Sequence, residues 1–214
     1  MLQRSVGQLD VREHGQLTAG DIAACKNLFM QVLRFNGPQT LEGWTAIDDR
    51  VMGGISSSRL TFHPDGHAVF EGKVSTENGG GFASVRNAAL RLGEQDTVGY
   101  SLHVRGDGKR YKLNLRMDEG LDGVNYQAAF QPPAGRWVDI ALPLNLFTPR
   151  FRGRPVPAAP ALCPEKVRQV GWMVADGQVG PFHLDIRTVT ILGQSPATAA
   201  SSPNTLSAMP NTGN

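Results

Sequence analysis

From Trp44 onward, hydrophobic and polar residues alternate with a period of two, which is the pattern of β-strands with one buried face. The clearest case is segment 100–116, where apolar and polar side chains alternate on both sides of Gly106-Asp107-Gly108. A second pair of alternating runs flanks Pro64-Asp65-Gly66. Because Gly, Asp and Pro favour tight turns, both segments are predicted to be antiparallel hairpins.

Further short strands are predicted along the rest of the chain, and no βαβ unit is repeated. The arrangement predicts an all-β fold, an antiparallel β-sandwich of jelly-roll type. Trp137 and Trp172 lie within apolar strands and are expected in its core. The further strands cover residues 82–86, 125–130, 136–142, 167–174 and 182–191.

The two ends of the chain differ from this central region. Residues 1–34 form an N-terminal extension with a short helix at about 19–30, opened by the capping box at Thr18 to Asp21, although segment 28–35 equally suits an opening strand. Residues 194–214 are rich in Ser, Thr, Pro, Ala and Asn, so we expect a disordered tail. The β-sandwich domain is therefore predicted to span residues 35–193.

Charge and cysteine content narrow the classes of function. The net charge of +2 is too small to indicate a nucleic-acid partner, and Cys25 and Cys163 belong to no metal or redox motif. No apolar run is long enough to span a membrane. The sequence predicts a cytoplasmic protein, and a mitochondrial one only if a targeting signal went unrecognised.

Motifs for catalysis or for cofactor binding are not found, so no cofactor is predicted. The sequence contains neither a phosphate-binding loop nor a nucleophile elbow. His63 and His67 flank a hairpin turn, and two solvated histidines explain them better than a metal site. Asp48 and Asp49 are expected to cap loops, with a structural calcium ion as the alternative.

Basic side chains cluster on the polar side of the predicted 100–116 hairpin. Arg105, Arg110, Lys112 and Arg116 share that side with His103 and Asn114, and Arg86 can join them. An ordinary solvated face is the alternative interpretation, but such a face usually mixes both signs of charge. Planar guanidinium donors of one sign favour a site for carboxylate, phosphate or sugar hydroxyl groups.

Seven segments of the chain form a recognisable set. They are Trp44, Asp48 to Ser56 (DDRVMGGIS), Phe70-Glu71-Gly72, Glu77 to Arg86 (ENGGGFASVR), Arg105 to Tyr111 (RGDGKRY), Phe151 to Arg154 (FRGR) and Gly180-Pro181-Phe182. Together they resemble the NADH:ubiquinone oxidoreductase complex I intermediate-associated protein family, the thirty-kilodalton assembly factor. The resemblance implies a galactose-binding-like jelly roll and a non-enzymatic, chaperone-like role in assembly of respiratory complex I, peripheral to a respiratory membrane at most.

The first hypothesis is therefore a non-catalytic module that binds a protein partner, such as a respiratory-complex subunit or an assembly intermediate. A carbohydrate-binding module with a glycan ligand is the alternative, and a hydrolase such as a glycosidase comes third. Glycine corners at Gly53-Gly54 and Gly79 to Gly81 are expected to shape one rim of the binding site. The predicted binding residues are Asp49, Met52, Asn78, Arg86, Arg105, Asp107, Arg110 and Tyr111.

Overall fold

Two packed antiparallel sheets form the protein in the computed structural model, which describes residues 32–120 and 122–193. Alternating residues of each strand face the space between the sheets, as the period of two requires. The strands are β1 (Val32–Arg34), β2 (Trp44–Ala46), β3 (Ser57–His63), β4 (His67–Val74), β5 (Ala83–Asn87), β6 (Thr97–Gly106), β7 (Tyr111–Arg116), β8 (Asn125–Phe130), β9 (Trp137–Pro143), β10 (Thr148–Phe151), β11 (Arg154–Pro155), β12 (Gln169–Val174) and β13 (Gly180–Gly193).

The strand order separates the chain into a six-stranded and a seven-stranded sheet. The six-stranded sheet runs β3-β4-β13-β6-β9, with β1 also paired to β13. The seven-stranded sheet runs β11-β10-β8-β7-β12-β5-β2. All pairings between these strands are antiparallel, so the predicted all-β sandwich is confirmed.

One hydrophobic core fills the space between the sheets. Tyr100 and Leu102 of the six-stranded sheet and Leu113 and Trp172 of the seven-stranded sheet are all fully buried. Several aromatic rings meet there edge to face, as in the contact of Phe130 with Trp172 at 6.2 Å between ring centroids. Burial of this apolar surface is what holds the two sheets face to face.

The predicted hairpin at 100–116 is wrong. β6 pairs with β13 and β9, whereas β7 pairs with β12 and β8, so the turn at Gly106-Asp107-Gly108 carries the chain from one sheet to the other. In both arrangements the apolar residues of the two strands face one core, so alternation alone cannot separate them. The other predicted hairpin, β3 to β4, is confirmed by the pairing of His63 with His67.

Trp137 is also misplaced by the sequence analysis. It lies on the outer surface of the six-stranded sheet, half-buried, while Val138 and Ile140 of the same strand pack against the core. The prediction for Trp172 is confirmed. The predicted helix at 19–30 and the predicted tail at 194–214 lie outside the described residues.

Asp107 joins the two sheets at the crossover. Its carboxylate accepts hydrogen bonds from the Tyr111 hydroxyl at 2.8 Å and from the backbone N–H groups of Lys109 at 2.9 Å and His183 at 3.0 Å. Tyr111 opens β7 in one sheet and His183 belongs to β13 in the other. One carboxylate therefore fixes where the chain leaves the first sheet and where it enters the second.

Replacing Asp107 by alanine should lower the free energy of unfolding by about 2 kcal/mol, because the buried Tyr111 hydroxyl loses its acceptor. Urea denaturation of both proteins would measure the difference. Asp65→Ala, in the exposed β3-β4 turn, is the matched control and should change stability by less than about 0.5 kcal/mol. Equal effects of the two substitutions would contradict the role assigned to Asp107.

Candidate functional site

Asp49 holds two loops together at one end of the sandwich. Its carboxylate is fully buried and accepts hydrogen bonds from the Ser56 hydroxyl and from the backbone N–H groups of Ser56, Gly81 and Phe82. Burial alone would raise the pKa of Asp49, but these hydrogen bonds outweigh it and hold the pKa below its ordinary value of 3.8. The group is therefore an ionised structural anchor.

Asp48 forms a second link beside the first. It accepts hydrogen bonds from the backbone N–H and hydroxyl of Ser58 and from the backbone N–H of Ser84. Ser58 lies in β3 of the six-stranded sheet, and Ser84 lies in β5 of the seven-stranded sheet. The predicted loop-capping role of both aspartates is thus realised as a bridge between the sheets.

Two positions near Asp49 require glycine, because their backbone lies very close to the Asp49 side chain. A Cβ atom at Gly54 would lie 2.4 Å from the Asp49 side chain, and one at Gly80 would lie 2.5 Å from Asp49 Oδ2. Such distances are far below van der Waals contact, so any larger residue would displace the carboxylate. The glycine-rich corners and the aspartate pair therefore form one structural unit.

We define the rim as residues 49–56 and 77–82, the two loops that Asp49 joins. Met52 is 59% exposed and Ile55 is 48% exposed, so the first loop presents two large apolar side chains to solvent. Asn78 is exposed in the second loop, with a left-handed backbone φ of 55°. Of the predicted rim residues, Met52 and Asn78 are thus available for contact, whereas Asp49 is not.

Two of the other predicted binding residues are structural, and a third is exposed. Tyr111 is fully buried, and both its burial and its hydrogen bond to Asp107 raise the pKa of its hydroxyl. Asp107 holds the crossover described above. Arg110 is exposed and lies 3.6 Å from the Asp176 carboxylate.

Arg86 and Arg105, predicted to cooperate, lie on opposite faces of the sandwich. Arg105 extends from β6 on the outside of the six-stranded sheet, where its Nε donates to Asp185 at 2.6 Å. Arg86 extends from β5 on the outside of the seven-stranded sheet, where it donates to Gln169 Oε1 at 3.1 Å. The structure therefore divides the basic cluster that the hairpin prediction had united.

We define the basic face as the outer surface of the seven-stranded sheet. Lys112, Asn114 and Arg116 of β7 lie on it with Arg86, as the alternation of their strands requires. Arg116 is buried and donates to Asp118 at 2.6 Å. Burial and the neighbouring Arg116 lower the pKa of Arg86, and Asp118 opposes this shift. Arg86, Lys112, Asn114 and Arg116 therefore lie on one face, as the sequence predicted.

The outer surface of the six-stranded sheet carries a cluster that the sequence analysis missed. His103 stacks on the Trp137 ring at 5.1 Å between centroids, and the guanidinium groups of Arg105 and Arg187 lie 5.0 and 4.4 Å from that ring. His67 contacts the edge of the same ring. The signal for Trp137 was present, because it shares its side of β9 with Asp139.

His67 is buried within this cluster and lies 3.4 Å from the Asp185 carboxylate. Burial lowers the pKa of His67 below its ordinary value of 6.5. The Asp185 charge opposes the shift, while His63, Arg105 and Arg187 add to it. The imidazole is therefore neutral at pH 7.

The aspartate pair does not have the arrangement of a calcium site. Calcium prefers several converging oxygen ligands, whereas the Asp48 and Asp49 oxygens face N–H and O–H donors. Within residues 32–120 and 122–193, no group of three or more His, Cys, Asp and Glu residues could hold a metal ion. No helix in these residues is both long and apolar enough to cross a membrane.

Residues 33–186 match the family described as complex I intermediate-associated protein 30. A Drosophila melanogaster relative named "Complex I intermediate-associated protein 30, mitochondrial" is 25% identical over 177 residues, covering 72% of this chain and 60% of the relative. The mouse protein of that name is 24% identical over 175 residues, covering 72% of this chain and 53% of the relative. The chain therefore spans little more than half the length of these relatives.

Among solved structures, the sandwich is similar to carbohydrate-binding modules. The family 11 module of a Clostridium thermocellum cellulosomal cellulase superposes with a TM-score of 0.58 and 16% identity, covering 78% of this chain and 96% of the module. The same kind of module in complex with a β-1,3-1,4-mixed-linked tetrasaccharide gives a TM-score of 0.56 and 17% identity, covering 77% of this chain and 95% of the module. At this identity the likeness establishes the jelly-roll fold alone.

Replacing Asp49 by asparagine should lower the free energy of unfolding by about 3 kcal/mol, because an amide cannot accept all four hydrogen bonds. The folded-state pKa of Asp49 lies below 3.8, so the unfolded chain takes up the proton first and wild-type stability falls as the pH drops below 3.8. The variant should lose that contribution. Denaturant titrations from pH 7 to pH 3 measure both effects, with exposed Asp96→Asn as the matched control.

Substitution of His67 by phenylalanine should flatten the pH dependence of stability below pH 6.5. Because the folded-state pKa of His67 is lowered, the unfolded chain binds the proton first, and wild-type stability falls as the pH drops below 6.5. Phenylalanine keeps the ring contact with Trp137 and removes this titration. Urea denaturation at pH 7.5, 6.5 and 5.5 tests the expectation, and an equal fall in both proteins would contradict it.

Proposed function

This chain belongs to the complex I intermediate-associated protein 30 family, because the match covers most of the chain, and from this we propose its function. It serves the assembly of respiratory complex I as a non-catalytic protein-binding module. The observation that carries the proposal is the continuous family match over residues 33–186. The two relatives that bear the family name are described as associated with a complex I intermediate. A protein partner follows most directly from that description.

The arrangement of the family-like residues supports a binding role. The carboxylate oxygens of Asp48 and Asp49 accept hydrogen bonds from the protein itself. Both carboxylates therefore have a structural role and are poorly placed for acid-base chemistry. The motif presents to solvent the apolar side chains of Met52 and Ile55, beside the charged Arg50. Exposed apolar side chains on a loop that is hydrogen-bonded to a buried carboxylate suit a contact with another protein.

The location follows from the proposal. The cytoplasmic location predicted from sequence is not supported by the relatives, two of which are named as mitochondrial. A role in complex I assembly places the chain at the respiratory membrane in which that complex resides. It would act there as a peripheral factor through its protein contacts.

Carbohydrate binding, the alternative function, is less well supported. One fold neighbour is a module of a cellulosomal cellulase and another is in complex with a tetrasaccharide. The ring that would offer a sugar platform in this protein is Trp137. His103, Arg105 and Arg187 contact that ring. Little of its surface is left for a sugar ring.

Deletion of the gene in the natural host should lower NADH:ubiquinone oxidoreductase activity of isolated membranes, and an affinity-tagged copy should restore it. The tagged protein should also retain complex I subunits during purification, identified by mass spectrometry. Activity of another respiratory enzyme, such as succinate dehydrogenase, is the internal control. Normal complex I activity in the deletion strain would contradict the proposal.

A further inference from the structure

A straight row of side chains crosses the basic face. Thr148 of β10, Gln127 of β8, Asn114 of β7, Gly171 of β12 and Arg86 of β5 are successive cross-strand partners. Adjacent strands lie about 4.8 Å apart, so the row is about 19 Å long, which is the length of about six extended residues. Gly171 leaves a gap in its middle, because it contributes no side chain.

Positive charge predominates on the basic face around this row. The outward-facing strand positions of the described seven-stranded sheet include the cations Arg86, Lys112, Arg116 and Arg150, and no acidic residue. Loop carboxylates partner two of the four, since Asp118 meets Arg116 and Asp176 meets Lys112. Among the described residues, no carboxylate lies within 4.0 Å of Arg86 or Arg150.

The amides of the row have hydrogen-bonding capacity in reserve. Asn114 Nδ2 and Gln127 Nε2 both approach the Met173 thioether sulfur, at 3.8 Å. Sulfur is a weak acceptor, so an oxygen acceptor would replace it favourably. Asn114 is 8% exposed, and its Oδ1 has no hydrogen-bond partner within the described structure. The Met173 side chain is flexible enough to move aside for a ligand.

We propose that the basic face binds an extended acidic segment of a protein partner, laid along the row from Arg86 to Thr148, next to which Arg150 lies on the same strand. Carboxylates of the segment meet Arg86 and Arg150, which have no carboxylate within 4.0 Å in the described structure, and its backbone supplies both an acceptor for the amide N–H groups and a donor for Asn114 Oδ1. Planar guanidinium groups bind carboxylates through paired hydrogen bonds. That the partner is a complex I subunit rests on the proposed function. The proposal that the surface binds an acidic segment rests on the residues of the basic face alone.

A peptide fits this surface better than a glycan does. None of the outward-facing positions in the described strands of the seven-stranded sheet is aromatic, so the face has no ring on which a sugar could stack. A neutral sugar would also leave Arg86 and Arg150 without a counter-charge. An acidic chain satisfies both the charges and the amides.

The test uses the full chain and a fluorescein-labelled hexapeptide of alternating glutamate and valine, with glutamine replacing glutamate in the control peptide. Fluorescence anisotropy should show the glutamate peptide binding about ten-fold more tightly than the control, with a preference that weakens as salt rises. The variant R86Q/R150Q should lose about ten-fold in affinity for the glutamate peptide. Arg59→Gln, on the outer surface of the other sheet, is the matched control and should bind as the wild type does.

Equal affinity of wild type and R86Q/R150Q for the glutamate peptide, with both proteins folded by circular dichroism, would overturn the proposal. Displacement of the peptide by a β-1,3-1,4-linked tetrasaccharide would also overturn it, in favour of a glycan. The deletion strain separates this result from the proposed function. Restored complex I activity with R86Q/R150Q would refute the surface and leave the assembly role intact, whereas normal activity without any copy would refute only the assembly role.

Discussion

Carboxylates that accept hydrogen bonds from both sheets are the interaction on which this end of the protein depends. The buried Asp48 and Asp49 connect the start of β3 in one sheet with the start of β5 in the other, and the exposed Asp107 connects β7 with β13. A buried ionised carboxylate is stable only when several donors surround it. Backbone amides provide most of those donors, so the loop conformations and the charges require each other.

This mutual requirement explains the most distinctive segments of the sequence. The glycines at 54 and 80 approach Asp49 too closely for any side chain, and Ser56 supplies both a backbone and a hydroxyl donor. A motif that looks like a binding loop is therefore first a structural joint. The side chains that the joint holds outward include those of Arg50, Met52 and Ile55.

The two outer surfaces of the sandwich have different characters. On the six-stranded sheet, Arg105 is neutralised by Asp185 and covered by Trp137, and His67 is buried neutral beside them. On the seven-stranded sheet, arginines outnumber the carboxylates that reach them, and amides contact only a thioether. Carboxylates of the first surface pair with Arg59 and Arg105, and its Arg187 lies over the Trp137 ring; the strands of the second surface carry four cations and no acidic residue facing outward.

The sequence by itself determined the strand periodicity, the β3-β4 hairpin, the all-β sandwich and the family resemblance, because each depends on local pattern or on residues read in order. It also associated Arg86 with Lys112, Asn114 and Arg116. Only the tertiary structure decided that β6 and β7 lie in different sheets, which placed Arg105 and Arg86 on opposite faces. A period of two records which side of a strand is buried but not which strand lies beside it, since pairing is settled by contacts distant in sequence.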